Sequence, residues 1–321
     1  DLVKSGMVVE MNPMNEYLDN IISMINIDAI RERDLRIAID PMYGVSLTAL
    51  CTILSIARCT VETINAQHDT LFGGKVPAPT EDTLRNLQNY VLDRYCDIGI
   101  ATDGDADRLG VIDDKGHYLH ANTILVMLYY YLLKYRGWSG PCVRNNSTTH
   151  LLDRVAKDMG QQCYEVPVGF KYISAKMAQT NAVIGGESSG GLAVRGHIAG
   201  KDGIYAAALL VEMLAVTGKS VSQLYREITD KYGMLYYEDA AFTMTQARKA
   251  ELQEKLFVKL EVPDFGNAVE KINRTDGCKV YFTDGSWVIC RFSGTEPLLR
   301  MAAEGESQSQ ARTYIRIWRE A

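Results

Sequence analysis

Between Leu35 and Ala101 the chain alternates short apolar runs with helix-like runs, and this rhythm restricts the possible folds more than any other feature. Leu35-Arg36-Ile37-Ala38-Ile39-Asp40 reads as a strand, Ser46 to Arg58 as a helix, and Thr60 to Asn65 as the next strand. Thr80 reads as an N-cap, with Glu81 and Asp82 in the first turn, where the helix dipole favours carboxylates. Leu84, Leu87 and Val91 then keep helical spacing, and Asp97–Ala101 forms a third strand. Strand–helix–strand order implies parallel pairing and an α/β layer architecture.

The rhythm resumes after Gly137, where Trp138-Ser139-Gly140-Pro141 ends a long apolar helix. Strands at Cys142–Asn145, Cys163–Val166 and Asn181–Gly186 surround a helix from Thr148 to Asp158. A helix from Asp202 to Val216 follows, then one opened by Ser220 and Gln223 in a capping-box pattern. The last part changes character. Lys279–Thr283 and Ser286–Cys290 flank Asp284-Gly285, a hairpin signal, and a strand at Arg300–Ala303 precedes a helix capped by Ser307. With 321 residues there is room for three domains, expected at residues 1–137, 138–237 and 238–321.

Composition narrows the partners. No run approaches the ~18 uncharged apolar residues of a membrane span, and the first residues lack the basic-then-apolar layout of a signal peptide. Seven cysteines without a CxxC pair read as reduced core thiols of a cytoplasmic protein. A net charge of −6 argues against nucleic acid as the main partner, so an anionic substrate needs a local basic site.

Three segments carry chemistry. Thr102-Asp103-Gly104-Asp105-Ala106-Asp107-Arg108 places Asp103, Asp105 and Asp107 at alternate positions immediately after a strand, where ligands of open α/β sheets bind. Their mutual repulsion is relieved by a hard divalent cation, and such an oxygen set suits Mg²⁺. Arg108 adds a fork of donors for a phosphate. In Gly185-Gly186-Glu187-Ser188-Ser189-Gly190-Gly191 the glycines permit a tight turn that presents Glu187 and Ser189, a carboxylate and a hydroxyl able to bond sugar hydroxyls. Read alone, a Gly/Ser loop is ordinarily only a loop. Arg291-Phe292-Ser293-Gly294-Thr295-Glu296-Pro297 offers an arginine, hydroxyls and turning amides for a phosphate cradle, to which Arg300 could add a second cation; read alone, the segment is equally a structural turn after the hairpin.

Taken together and in this order, the three segments resemble the signature loops of the α-D-phosphohexomutases (the phosphoglucomutases and phosphomannomutases). Val168-Gly169-Phe170-Lys171-Tyr172 and Lys201-Asp202-Gly203 also fit, so the resemblance runs from Leu35 to the last helix. It implies the second, third and fourth domains of a four-domain enzyme whose active site lies in a cleft between domains. The expected fold is therefore two tandem α/β domains with mixed sheets, followed by a C-terminal α+β domain with an antiparallel sheet. The resemblance further implies that Asp103, Asp105 and Asp107 bind Mg²⁺ and that Arg108 meets a phosphorylated serine. Glu187 and Ser189 would hold sugar hydroxyls, while Arg291, Ser293, Gly294, Thr295 and Arg300 would grip the phosphate that is not transferred. Lys171 and Lys201 match positions of cationic or proton-handling groups. The implied reaction interconverts hexose 1- and 6-phosphates of glucose or mannose through a hexose 1,6-bisphosphate.

Two departures stand out. The relatives' nucleophile lies in an N-terminal domain with a Ser-His-Asn-Pro motif, which does not occur here: Asn12-Pro13 follows Met11, and Ser147-Thr148-Thr149-His150 lacks a following Asn-Pro. The 321 residues are thus expected to lack the nucleophile domain and to be inactive alone. Ala199 and Gly200 replace charged residues that some glucose-specific relatives carry, which leaves the choice of hexose open. Two other readings of the segments remain: an aspartyl-phosphate phosphatase with Asp103 as nucleophile, and a non-catalytic sugar-phosphate-binding module.

Overall fold

The computed structural model describes residue 2, residues 4–293 and residues 297–321. The chain divides into two compact units: Asp1–His120 with Lys201–Leu224, and Ala121–Gly200 with Tyr225–Ala321.

In the first unit, helices α1 (Met14–Met24) and α2 (Ile27–Arg31) precede β1 (Arg36–Asp40), α3 (Leu47–Ile56), β2 (Thr60–Thr63), α4 (Arg85–Asp93), β3 (Ile98–Thr102), β4 (Leu109–Ile112) and β5 (Tyr118–Leu119). The sheet order is β2-β1-β3-β4-β5. β1 runs parallel to both β2 and β3, as helical crossovers require, and Ile37, Ile39, Ile98 and Ile100 are fully buried. β4 is antiparallel to β3, because the few residues between them can only turn the chain back. The acidic loop is therefore a hairpin connection inside a mixed sheet. Thr80 does not cap α4. It exchanges bonds with Thr83 (Thr80 N–H to Thr83 Oγ1, 2.9 Å) in a separate turn that carries Glu81 and Asp82, and α4 begins only at Arg85.

The second unit opens with α5 (Ala121–Lys134), β6 (Cys142–Asn145), α6 (Leu151–Asp158), β7 (Cys163–Val166), α7 (Phe170–Thr180), β8 (Ile184–Gly186) and β9 (Leu192–Val194). Its first sheet has the order β7-β6-β8-β9, with β9 turned antiparallel by the glycine loop. The chain then returns to the first unit in α8 (Gly203–Thr217), whose N-cap Asp202 accepts from the amides of Ile204 and Tyr205 at 2.9 and 3.0 Å. This helix is apolar apart from the buried Glu212, which accepts from the Asn26 amide at 2.8 Å, and it packs on α2 and α3. In α9 (Val221–Tyr232) the expected capping box is present: the Ser220 amide donates to Gln223 Oε1 at 2.9 Å.

The rest of the second unit is β10 (Tyr236–Thr243), α10 (Gln246–Gln253), β11 (Val269–Asn273), β12 (Cys278–Phe282), β13 (Trp287–Phe292), β14 (Leu298–Gly305) and α11 (Gln308–Glu320). These strands form an antiparallel sheet in the order β10-β14-β13-β12-β11. Tyr314 and Trp318 of α11 pack edge-on against Phe265 over this sheet. The turn between β12 and β13 is wider than Asp284-Gly285 alone. Asp284 accepts from the amide and hydroxyl of Ser286 at 2.9 and 2.6 Å, Gly285 takes φ +85°, and the turn closes through the Phe282 amide to Ser286 O at 2.9 Å and the Gly285 amide to Phe282 O at 3.0 Å. All seven cysteines are free thiols.

A buried charge network ties the two sheets of the second unit. Arg144 on β6, 3% exposed, bonds Asp153 through two nitrogens at 2.8 and 3.1 Å and Glu165 on β7 at 2.6 Å. Glu165 also receives Lys279 of β12 at 2.8 Å and the hydroxyl of Tyr281. Lys279 reaches His150 Nε2 at 3.0 Å, and Glu304 of β14 accepts from the His150 amide and from Trp287 Nε1 at 2.8 and 3.1 Å. Leaving one member of such a set unpaired costs about 3–5 kcal/mol, so the network holds the two sheets in one arrangement.

Candidate functional site

The acidic hairpin is built from the backbone outward. The Asp103 carbonyl accepts from the Ala106 amide at 3.1 Å, and Ala106 takes φ +61°, which turns the chain sharply between Asp105 and Asp107. Asp103 is buried and accepts from the Arg108 amide at 2.9 Å. One ligand oxygen from each of Asp103, Asp105 and Asp107 lies within 4.8 Å of the others. Burial pushes the Asp103 carboxyl up to about 6, and the charges of Asp107 and Asp105 add to the rise against the opposing Arg108 amide. Three carboxylates so placed fit a hard dication, whose charge would offset both the burial and the mutual repulsion that raise Asp103.

Two cations border this hairpin. Arg108 Nε stands 3.5 Å from Asp103 and 3.7 Å from Asp107, yet this shielded donor makes no hydrogen bond among the described residues. Lys201 pairs with Asp107. Close packing explains the residues that follow Lys201. Asp202 caps α8 and accepts from the Tyr17 hydroxyl at 3.0 and 2.9 Å. The Gly203 amide donates to Ala106 O at 2.9 Å, and a Cβ on Gly203 would stand 2.8 Å from that oxygen and 3.0 Å from Arg108 O. Gly44 approaches the other side of the hairpin, where its Cβ would lie 2.5 Å from Gly104 O.

In the second unit, the glycine loop closes through the Glu187 amide to Gly191 O (3.0 Å) and the Gly190 amide to Glu187 O (3.1 Å). The Glu187 carboxylate is positioned by two donors at Oε1, Asn145 Nδ2 at 3.1 Å and the Gly169 amide at 3.3 Å. Asn145 in turn fixes Thr148, whose hydroxyl accepts from the Ser188 amide at 3.1 Å. Ser189 is exposed at the tip. Lys171 occupies the first turn of α7 and lies 5.0 Å from the Tyr172 ring centre.

Arg291 on β13 stands directly across from Arg300 on β14, so the two cations share one face of the sheet. Like charges opposite each other destabilise a ladder, and a bound anion offsets that cost. Arg291 Nε donates to Asp276 at 3.0 Å. The Ser293 amide donates to Leu298 O at 2.9 Å and closes the loop that follows β13. Gly294 and Thr295 lie outside the described residues.

The structure thus gathers Asp103, Asp105, Asp107, Arg108 and Lys201 in the first unit. It carries Glu187, Ser189, Arg291, Ser293 and Arg300 on loops and strands of the second, and Lys171 on its helix α7. Sequence reasoning missed Asn145 and Asp276, which bond Glu187 and Arg291, Thr148, which accepts from the Ser188 amide, and Tyr17, which bonds Asp202 beside Lys201. The polar run Asn145–Thr149, directly after a strand, was a readable signal for part of that set.

Family models match nearly the whole chain in three consecutive segments. Domain II of the phosphoglucomutase/phosphomannomutase model covers residues 15–116, domain III residues 120–232 and the C-terminal domain residues 245–318. A phosphoglucomutase/phosphomannomutase of Thermococcus kodakarensis is 30% identical over 94% of this chain and 63% of its own length. A phosphoglucosamine/phosphogalactosamine mutase of Sulfurisphaera tokodaii is 28% identical over 94% of this chain and 65% of its own. The crystal structure of a phosphoglucomutase/phosphomannomutase family protein from Burkholderia thailandensis shares the fold, with a TM-score of 0.82 at 21% identity over 97% of this chain and 64% of that one. This chain therefore spans just under two thirds of the length of these relatives. With the acidic hairpin, the glycine loop and the arginine pair each falling in its own matched domain, the chain belongs to the phosphoglucomutase/phosphomannomutase family of α-D-phosphohexomutases.

Proposed function

We propose that this chain supplies the metal, sugar and phosphate loops of a cytoplasmic enzyme that interconverts hexose 1-phosphate and hexose 6-phosphate. The observation that carries the reading is the acidic hairpin, three carboxylates gathered within 4.8 Å beside Arg108 and Lys201. The metal, sugar and phosphate loops fall in domains at residues 1–137, 138–237 and 238–321, and Lys201 of the middle segment serves the metal loop.

Asp103, Asp105 and Asp107 hold Mg²⁺, which when bound neutralises charge on the phosphoryl group being transferred. Arg108 meets the same phosphoryl group, and Lys201 balances Asp107 while standing ready to give or take a proton at the reacting hydroxyl. Glu187 and Ser189 bond ring hydroxyls in either orientation of the sugar, because neighbouring hydroxyls present similar donors both ways round. Arg291, Ser293, Gly294, Thr295 and Arg300 hold the phosphate that stays on the sugar, and Lys171 adds positive charge nearby. The phosphoryl donor is a phosphorylated serine that is not among the residues described. It passes its group to the free hydroxyl, the hexose 1,6-bisphosphate turns around, and the other phosphate returns to the serine. The 321 residues alone are accordingly expected to bind hexose phosphates without turning them over.

The test is conversion of glucose 1-phosphate to glucose 6-phosphate, coupled to a dehydrogenase, by a protein that joins this chain to a family serine domain. Arg291→Ala removes a contact made in ground and transition states alike, so KM rises by the equivalent of about 1.5–3 kcal/mol. Arg108→Ala instead lowers kcat, because its charge faces the group in flight. An unchanged KM in Arg291→Ala refutes the phosphate assignment. Running mannose 1-phosphate and glucosamine 1-phosphate beside the glucose ester ranks the sugars by kcat/KM.

A further inference from the structure

The loop between β11 and β12 places Asp276 where three separate parts of the second unit meet. Its Oδ2 accepts from Arg291 Nε at 3.0 Å, from the Val168 amide at 2.7 Å and from Asn146 Nδ2 at 3.4 Å. Asn146 Nδ2 also donates to the Asp276 carbonyl at 3.0 Å. The approach is tight by construction: Gly277 takes φ +81°, and a Cβ there would lie 2.4 Å from Arg291 Cγ. No side chain fits between this loop and the arginine.

The donors form a pattern. Asn145 and Gly169 bond Glu187, while their chain neighbours Asn146 and Val168 bond Asp276. Two dipeptides, Asn145-Asn146 and Val168-Gly169, thus each grip the sugar-loop carboxylate with one residue and Asp276 with the other. A displacement of either dipeptide moves both carboxylates.

We propose that Asp276 is a positioning residue, which aims the Arg291 fork at the sugar's phosphate and keeps it in register with Glu187. The inference rests on the phosphate and sugar assignments above. A carboxylate that merely neutralised Arg291 would compete with the phosphate, and its loss would tighten binding. The geometry points the other way. Asp276 is anchored by the Val168 amide and by Asn146, so it is the fixed partner and Arg291 the oriented one. Bonding at Nε leaves the two terminal nitrogens of the guanidinium as the paired donors for an anion.

Calorimetric titration of glucose 6-phosphate into the 321-residue chain tests this. Arg291→Ala weakens binding by roughly tenfold or more, and Asp276→Ala weakens it by about tenfold. Asp276→Asn stays within about threefold of the parent, because its Oδ1 accepts the same bonds. The double variant Asp276→Ala/Arg291→Ala binds no more weakly than Arg291→Ala, since one residue acts through the other. A general structural role would instead give additive losses, and that outcome overturns the proposal. So does binding by Asp276→Ala that equals or exceeds the parent. Should Asp276→Ala not fold, Asp276→Glu carries the test alone: it keeps the charge but moves it by one methylene, and binding as tight as the parent refutes the aiming role. If Arg291→Ala itself leaves affinity unchanged, the phosphate assignment falls and the inference with it. A loss in Arg291→Ala without one in Asp276→Ala removes the inference alone.

Discussion

Gly203 offers a sharp test of how the metal hairpin is held. By helix propensity, Gly203→Ala at the first position of α8 should stabilise the protein, by up to ~1 kcal/mol. The packing opposes this. The new Cβ would stand 2.8 Å from Ala106 O and 3.0 Å from Arg108 O, whereas carbon and carbonyl oxygen ordinarily approach to ~3.3 Å. The hairpin must therefore retreat by about 0.5 Å, and both oxygens belong to the turn that carries Asp107. Overfilling a packed contact costs ~1–3 kcal/mol, enough to cancel or reverse the propensity gain, for a net loss of up to about 2 kcal/mol when that gain is fully realised. Magnesium tolerates little misplacement of its oxygens, so a shift of that size weakens Mg²⁺ binding by about tenfold. The measurement is a thermal melt together with calorimetric Mg²⁺ titration. Gly200→Ala is the control, since its Cβ would meet only Ile198 Cδ1, at 4.0 Å, and should change neither quantity. A Gly203→Ala protein with a raised Tm and unaltered Mg²⁺ affinity would refute the claim that α8 pins the hairpin.

Asp105→Asn should weaken Mg²⁺ binding by about tenfold or more, and in the parent chain added phosphate should strengthen it; equal titrations of both proteins would remove the metal assignment. His150 provides a pH signature. Burial first, then the charges of Arg144 and Lys279, push its ring down to about 3 from 6.5, so the unfolded chain takes up this proton before the folded one does. Stability associated with His150 is full above pH 6.5 and declines as the pH falls from there toward 3. Denaturant unfolding at pH 7, 5.5 and 4.5 should show a slope that His150→Gln reduces by up to about one proton, and identical slopes would mean that the ring titrates normally.

What the sequence made legible followed from how local each pattern is. Asp103, Asp105 and Asp107 sit on one short loop, and their spacing, with a strand in front and Arg108 behind, suggested a cation; the structure gathers them. The capping box at Ser220 is likewise local and appears as read, whereas Asp202, read as the first residue of its helix, is the cap before it. Thr80 misled because a hydroxyl able to cap a helix also serves a free-standing turn, where it accepts from the Thr83 amide at 3.4 Å. The Asp284-Gly285 turn widened because Asp284 found a local partner in Ser286. The ion pair of Lys201 with Asp107 and the bond of Arg291 to Asp276 have no local signal, since each depends on segments brought together only by the fold. Asp276-Gly277 looks like any turn before a strand until its neighbours are known.

The discontinuity of the first unit has a consequence for synthesis. Asp107 leaves the ribosome roughly a hundred residues ahead of Lys201, a gap of about 5–20 s at ~5–20 residues per second. Throughout that interval the flank of α3 that packs on α8 lacks its cover, and the three carboxylates lack the lysine that pairs with one of them. The early chain must therefore wait, half assembled, while the intervening stretch is made. A strong translational pause between residues 120 and 201 would lengthen the exposure of that apolar flank and raise the demand for chaperones.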